Sequence, residues 1–181
     1  MIAVLDANVL YPAPVRDYLL HLASMELYQA KWSNAIQEEW ILNLLLNRKD
    51  LNRSQLNKTK TAMNAAFPDA NVTGYEPLIE KLALPDKDDR HVLAAAIQAK
   101  ADLIITSNIK DFPSKNLKAY GVDAQTADEF IIRLMDKDKA RCVQALNNQV
   151  QLLRNPLRTR DEVLDTLENC GLINSVKLLR S

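Results

Sequence analysis

The chain's 181 residues are 48% hydrophobic, enough for one main domain with a sizeable core and a small addition. Lys and Arg total 23, Asp and Glu total 23, and the formal net charge is zero, which excludes nucleic-acid binding through bulk positive charge but not through a local basic patch. No apolar run approaches the ~20 residues that span a bilayer, and Asp6 interrupts an N-terminal run that no basic segment precedes, so the chain reads as cytoplasmic, with no anchor and no signal peptide.

Met1 to Leu5 is apolar throughout and predicts a buried strand. Pro12 and Pro14 open a helix with a stripe of Val15, Tyr18, Leu19, Leu22 and Ala23. Tyr28 to Trp32 predicts a short strand, and Ser33 caps a helix from about Asn34 to Leu46. Ser54 is the expected cap of the next helix, which runs to about Phe67 and stops at Pro68. Asn71 to Gly74 predicts a short strand or turn, and Pro77 to Leu82 a helical turn. A helix starting at Pro85-Asp86 carries Val92, Leu93, Ala96 and Ile97 on one side. Leu103 to Thr106 is the second strong strand, and Tyr120 to Val122 a short third.

Strands alternating with helices of this length predict a parallel α/β sheet with right-handed crossovers. From about Thr126 the pattern becomes wholly helical, with a soft boundary near Asp136 to Lys139. One helix is marked by Phe130, Ile131 and Leu134, a second by Val143, Leu146, Val150 and Leu153, and a third by Val163, Leu164 and Leu167, closed by Gly171. The expected division is therefore 1–125 and 126–181. Cys142 and Cys170 lack CxxC spacing and are expected as small buried apolar residues. With three glycines and neither a Walker loop nor GxGxxG, no phosphate cradle is expected.

Acidic residues stand where the two strong strands run out. Asp6 follows Leu5 directly, and Asp111 lies just past Thr106-Ser107-Asn108. The carboxyl edge of a parallel sheet is where such folds build their sites. Carboxylates gathered there repel one another unless a cation joins them. Asp89 stands three and four residues before Val92 and Leu93, in line with the buried stripe, so it should point toward the sheet while Asp88 points away. Glu39 flanks the stripe of Ile36, Trp40 and Leu44, but its helix is apolar almost all round and periodicity does not choose between Glu38 and Glu39. Each acid also has a plain structural use. Asp6 and Asp111 suit turns, Asp86 suits a helix cap, and a glutamate on a helix is ordinarily solvated.

Order and context together resemble the PIN-domain nucleases, metal-dependent ribonucleases that include the VapC-type toxins. The matching segments are Val4 to Leu10, Trp32-Ser33 through Ile36 to Glu39, Pro85 to Ala96, and Ala101 to Phe112, within about residues 1 to 125. The resemblance implies a three-layer parallel sheet flanked by helices, followed by an all-helical extension like that of one PIN subgroup. It implies Asp6, Glu39, Asp89 and Asp111 as the catalytic, metal-binding acids, with auxiliary roles for the strand-end Ser107 or Asn108 and for Asp86. It selects Glu39 over Glu38.

Four carboxylates without a His/Cys cluster suit a hard, oxygen-preferring ion, Mg²⁺ or Mn²⁺. The implied activity is hydrolysis of RNA phosphodiester bonds to a 5′-phosphate and a 3′-hydroxyl, with an RNA substrate, a cognate antitoxin protein and a homodimer as partners. Arg90, Lys87 and Lys110 flank the acids and could contact phosphates. His91 is rotated about 200° around its helix from Asp89 and is expected to pack or face solvent. His21, one turn after Asp17, is expected to pair with it. Two alternatives stand beside this one. The first is a non-catalytic PIN scaffold binding RNA or protein. The second is a phosphatase with Asp6 as nucleophile, against which the chain has Asp6-Ala7-Asn8 in place of Asp-x-Asp.

Overall fold

The structure, a computed structural model, describes residues 1–181. Its elements in chain order are β1 (Ile2–Leu5), α1 (Ala7–Leu10), α2 (Ala13–Ser24), β2 (Gln29–Ser33), α3 (Asn34–Asn47), α4 (Arg53–Ala66), β3 (Asn71–Val72), α5 (Glu76–Ile79), α6 (Arg90–Gln98), β4 (Leu103–Ile105), α7 (Ser114–Leu117), β5 (Asp123–Gln125), α8 (Ala127–Leu152), α9 (Arg160–Asn169) and α10 (Ile173–Arg180). The chain forms two compact units, Met1–Tyr11 with Gln29–Gln125 and Pro12–Tyr28 with Thr126–Ser181. Helix α2 thus groups with α8, α9 and α10.

The first unit is built on a five-stranded, all-parallel sheet in the order β3-β2-β1-β4-β5. Strands β1 and β4 are apolar because both their faces are covered. Ala3, Val4, Leu5, Leu103, Ile104 and Ile105 are all buried, each large side chain stabilising by roughly 1.5–3 kcal/mol. Helix α6 packs on β1, β2 and β4 through Val92, Leu93 and the buried alanines 94, 95 and 96. The chain winds from β1 outward through β2 to β3, then returns to lay β4 on the other side of β1. The winding direction reverses between β1 and β4, and at such a point parallel sheets open a crevice beyond their carboxyl ends. Leu5 pairs with Ile105, so the next residues, Asp6 and Thr106, leave the sheet side by side at that crevice.

Several boundaries differ from the sequence expectation for identifiable reasons. Helix α4 is capped by Asn52, not Ser54, because Asn52 and Gln55 form a reciprocal capping box at 3.0 and 3.1 Å. Helix α6 starts at Arg90, not at Pro85-Asp86. The Asp86 carboxylate accepts the Asp88 amide at 2.9 Å, a local turn that competes with helix. The strand expected at Tyr120 to Val122 falls at β5, because Gly121, at φ 69°, takes the left-handed conformation that ends the preceding 3-10 turn. A one-turn helix, α1, intervenes between β1 and α2.

In the second unit, α8 carries non-helical backbone at Asp138, whose carboxylate accepts the Arg141 amide at 3.0 Å and starts the next helical stretch. Helix α10, not anticipated from the sequence, has no cap of its own. The Asp128 carboxylate, from the first turn of α8, accepts the backbone amides of Asn174 and Ser175 at 3.1 and 2.8 Å. Burial raises the Asp128 carboxyl, but these bonds and two more from the Asn174 and Ser175 side chains outweigh it and hold it below the usual range. Burial lowers the His21 imidazole and the charge of Asp17 opposes that shift, but the ion pair Asp17 makes is with Arg16, at 3.8 Å. Cys142 is buried as expected, while Cys170, at the C-cap of α9, is exposed; both are free thiols. No helix is long and apolar enough to cross a membrane.

Candidate metal and nuclease site

Asp6 is the most constrained acid of the crevice, with 3% of its surface exposed. Its Oδ1 accepts the Ala7 amide at 2.7 Å, capping α1, while its Oδ2 accepts the Asn8 amide at 2.7 Å and the Thr106 hydroxyl at 2.8 Å. Asn8 and Thr106 are themselves closed into the set. The second Asn8 amide proton goes to Thr106 Oγ1 at 3.0 Å, which also accepts the Asn108 backbone amide at 3.0 Å. Asn8 Oδ1 accepts the Ser107 backbone amide at 2.9 Å. Counting lone pairs, Oδ2 is filled and Oδ1 keeps one, so Oδ1 is the Asp6 oxygen left for a further partner. Burial raises the Asp6 carboxyl; the Thr106 bond opposes this, and Glu39 adds to it.

Asn8 is the part of this network that sequence reasoning did not single out. Its signal was the departure from Asp-x-Asp: an aspartate at position 8 could donate nothing to Asp6 and would face it with a second negative charge.

Asp89 caps the start of α6 by position, yet makes no side-chain cap bond. Its carboxyl is pushed up to about 6, first by burial and then by the negative charges of Asp6, Asp86, Asp111 and Glu39. Repulsion from these four places all of them within electrostatic reach of one carboxylate. Carboxylate oxygens of Asp86, Asp89 and Asp111 lie within 4.8 Å of one another. Asp88, by contrast, is exposed. Asp111 sits on a 3-10 turn, Ile109–Asp111, with its Oδ2 accepting the Asn108 side-chain amide. Ser107 is exposed and enters the network through its backbone amide.

The two glutamates of α3 part company. Glu38 is held by Lys60 at 2.7 Å and Arg53 at 3.0 Å, both from α4. Glu39 turns the other way, its Oε2 3.3 Å from Nε2 of His91 on α6, and raises the carboxyls of both Asp6 and Asp89. His91, expected to pack or face solvent, instead faces one of the acids. Arg90 is committed to Glu80 at 3.7 Å and to the Lys87 carbonyl, whereas Lys87 and Lys110 are exposed and carry no ion pair.

The donor set is all oxygen, clustered and mutually repulsive, with no thiolate in it. Such a set fits a hard divalent cation of the Mg²⁺ or Mn²⁺ kind, which would relieve the repulsion that raises Asp89. Asp86, Asp89 and Asp111 are the carboxylates close enough to share one, and Asp6 and Glu39, whose charges reach Asp89 but which stand outside that close group, are the further residues that could hold it.

Comparison with known families matches residues 3–110 to the PIN domain and residues 127–181 to the VapC50 C-terminal domain. A curated relative, "Putative ribonuclease VapC50" of Mycobacterium tuberculosis, is 35% identical over 94 residues, covering 52% of this chain and 55% of the relative. The match thus spans about half the length of that relative. No solved structure matches the chain. With a parallel sheet whose winding reverses beside Asp6 and a family match running through four of the five strands, the chain belongs to the PIN-domain family.

Proposed function

We propose that the chain is a divalent-metal-dependent endoribonuclease that hydrolyses RNA phosphodiester bonds, acting in the cytoplasm as the toxin of a toxin–antitoxin pair. The observation that carries this is the meeting of carboxylates from distant segments in a chain of the PIN family: oxygens of Asp86, Asp89 and Asp111 lie within 4.8 Å of one another, and the charges of Asp6 and Glu39 also reach Asp89. Asp6, Glu39, Asp89 and Asp111 would hold the ion, with 1–125 as the nuclease part and 126–181 as its extension. The name of the Mycobacterium tuberculosis relative supports the ribonuclease class, and the resemblance to VapC-type toxins supports an antitoxin partner.

When bound, a Mg²⁺ or Mn²⁺ ion supplies positive charge against the scissile phosphate and makes nearby water more acidic. The chain's own residues do the rest. Asn8 and Thr106 fix Asp6 in one orientation. Asn108 fixes Asp111. Asp89, which no donor ties down, orients the attacking water and accepts its proton. Lys87 and Lys110, exposed and unpaired at the rim, are free to receive backbone phosphates.

A phosphatase using Asp6 as nucleophile is disfavoured because Asn8, tied by its side-chain amide to Asp6 at 2.7 Å, stands where that chemistry calls for a second aspartate. Incubating the protein with a mixed RNA pool in Mg²⁺ or in EDTA, beside Asp6→Ala, tests the proposal. Cleavage is expected in Mg²⁺ alone and for the wild type alone. Cleavage that survives EDTA or the substitution would remove the metal mechanism, and a non-catalytic scaffold would bind Mn²⁺ and RNA without cutting.

A further inference from the structure

Of the four acids assigned to the ion, Asp6 has three hydrogen-bond donors and Asp111 has the Asn108 amide, whereas the Glu39 carboxylate has no aligned donor and one close neighbour, His91 Nε2 at 3.3 Å, which a small turn of either side chain would bring into hydrogen-bond alignment. The His91 side chain is 18% exposed and that of Glu39 43%, so the imidazole is mostly covered and the carboxylate is partly open to solvent. His91 Nδ1 is buried and without a hydrogen-bond partner. That settles the favourable tautomer of a neutral imidazole. A proton on Nε2 places a donor against the carboxylate, while a proton on Nδ1 would bury an unpaired N–H and aim a lone pair at Oε2. His91 lies in the first turn of α6, two residues after Asp89, and Glu39 lies on α3. The contact therefore links the helix of one acid to the helix that begins at another.

Resting on the metal site proposed above, we propose that His91 is a positioning residue that holds the Glu39 carboxylate toward the ion through Nε2–H. Carboxylates that bind metals are ordinarily fixed by such outer partners, and losing one typically weakens metal affinity by ~10–100-fold.

The test uses the full chain and Mn²⁺ as the probe. Calorimetric titrations compare the wild type with His91→Gln, His91→Asn, His91→Leu, Glu39→Gln and the Glu39→Gln/His91→Leu double variant, and each is also melted in EDTA. A glutamine amide reaches the position of Nε2, whereas an asparagine amide stops near Nδ1. Mn²⁺ affinity should fall about 10-fold in His91→Leu and His91→Asn and return close to wild type in His91→Gln. In the Glu39→Gln background His91→Leu should add nothing. If His91→Leu does not fold, the Gln and Asn pair decides alone. Undiminished affinity in His91→Asn, failure of His91→Gln to restore it, an additive loss in the double variant, or full affinity in Glu39→Gln would each overturn the positioning role. Absence of Mn²⁺ binding by the wild type would overturn the nuclease reading itself, which separates the two failures.

Discussion

Thr106 gives its hydroxyl proton to Oδ2 of Asp6 at 2.8 Å, across adjacent strands and 100 residues of sequence. The contact follows from the register, since Leu5 opposite Ile105 leaves the next residue of each strand level with the other. It fixes a nearly buried carboxylate at the point where the sheet's winding reverses. Thr106→Val keeps the shape and removes the donor. A lost hydrogen bond to a charged group should cost about 1.5–3 kcal/mol in urea unfolding, with RNA cleavage falling alongside. Thr106→Ser should retain most of both. Wild-type stability in Thr106→Val would mean that Asp6 does not depend on this hydroxyl.

Glu38 and Glu39 should separate cleanly. Glu38→Gln breaks a partly exposed network with Lys60 and Arg53, worth at most about 1 kcal/mol, and should leave cleavage intact. Glu39→Gln should lose about 100-fold or more in metal-dependent cleavage with little change in melting in EDTA. The reverse pattern of activities would exchange the roles of the two residues.

Burial of Asp89, together with the charges of the acids around it, sets a pH dependence. The folded, metal-free protein holds the Asp89 proton up to about pH 6, more tightly than an unfolded chain with an ordinary carboxyl near 3.8. The stability this proton contributes is present below about pH 4 and is lost as the pH rises through 6. Asp89→Asn abolishes that loss. In EDTA the variant should melt above the wild type at pH 7 to 8, the advantage shrinking below pH 6 and vanishing near pH 4. A difference that does not change with pH would contradict the raised Asp89 carboxyl.

Asp128 acts as a borrowed cap for α10, its carboxylate meeting the first-turn amides of a helix 46 residues away in sequence. Asp128→Ala should cost about 1–2 kcal/mol, the usual worth of a helix cap. Because its carboxyl is held low in the folded state, its contribution exists above the ordinary carboxyl range and disappears as the pH falls through the lowered value. Equal melting of Asp128→Ala and wild type at pH 7 would show the cap to be dispensable.

What the sequence disclosed follows the physics of each element. Apolar strands with both faces covered announce themselves, so β1 and β4 were plain, and the acids at their ends marked the crevice edge. Asp89 could be aimed from the stripe of Val92 and Leu93 because helical spacing is regular. Glu39 could not, since α3 is apolar almost all round, and its side was decided by Lys60 and Arg53 on α4 taking Glu38. The hidden parts all depend on tertiary partners. Asn8 looked like turn chemistry until Thr106 arrived from the neighbouring strand. His91 lies on another side of its own helix from Asp89, which obscured that α3 brings Glu39 to it. Helix α10 lacks a local cap because its cap comes from α8. Cys170 resembled a core residue by type alone, and only the end of α9 exposes it.

The central claim, that acids from distant segments converge to hold one class of ion, is tested most directly by a Mn²⁺ titration of the metal-free chain beside Asp89→Asn at pH 7.5. Saturable binding by the wild type is predicted, with stabilisation of ~1.4 kcal/mol when free Mn²⁺ is ten times its dissociation constant. For a chain of this length that is a rise of roughly 3–6 °C in melting temperature, and both effects should be lost in the variant. No binding by the wild type, or equal binding by Asp89→Asn, would contradict it.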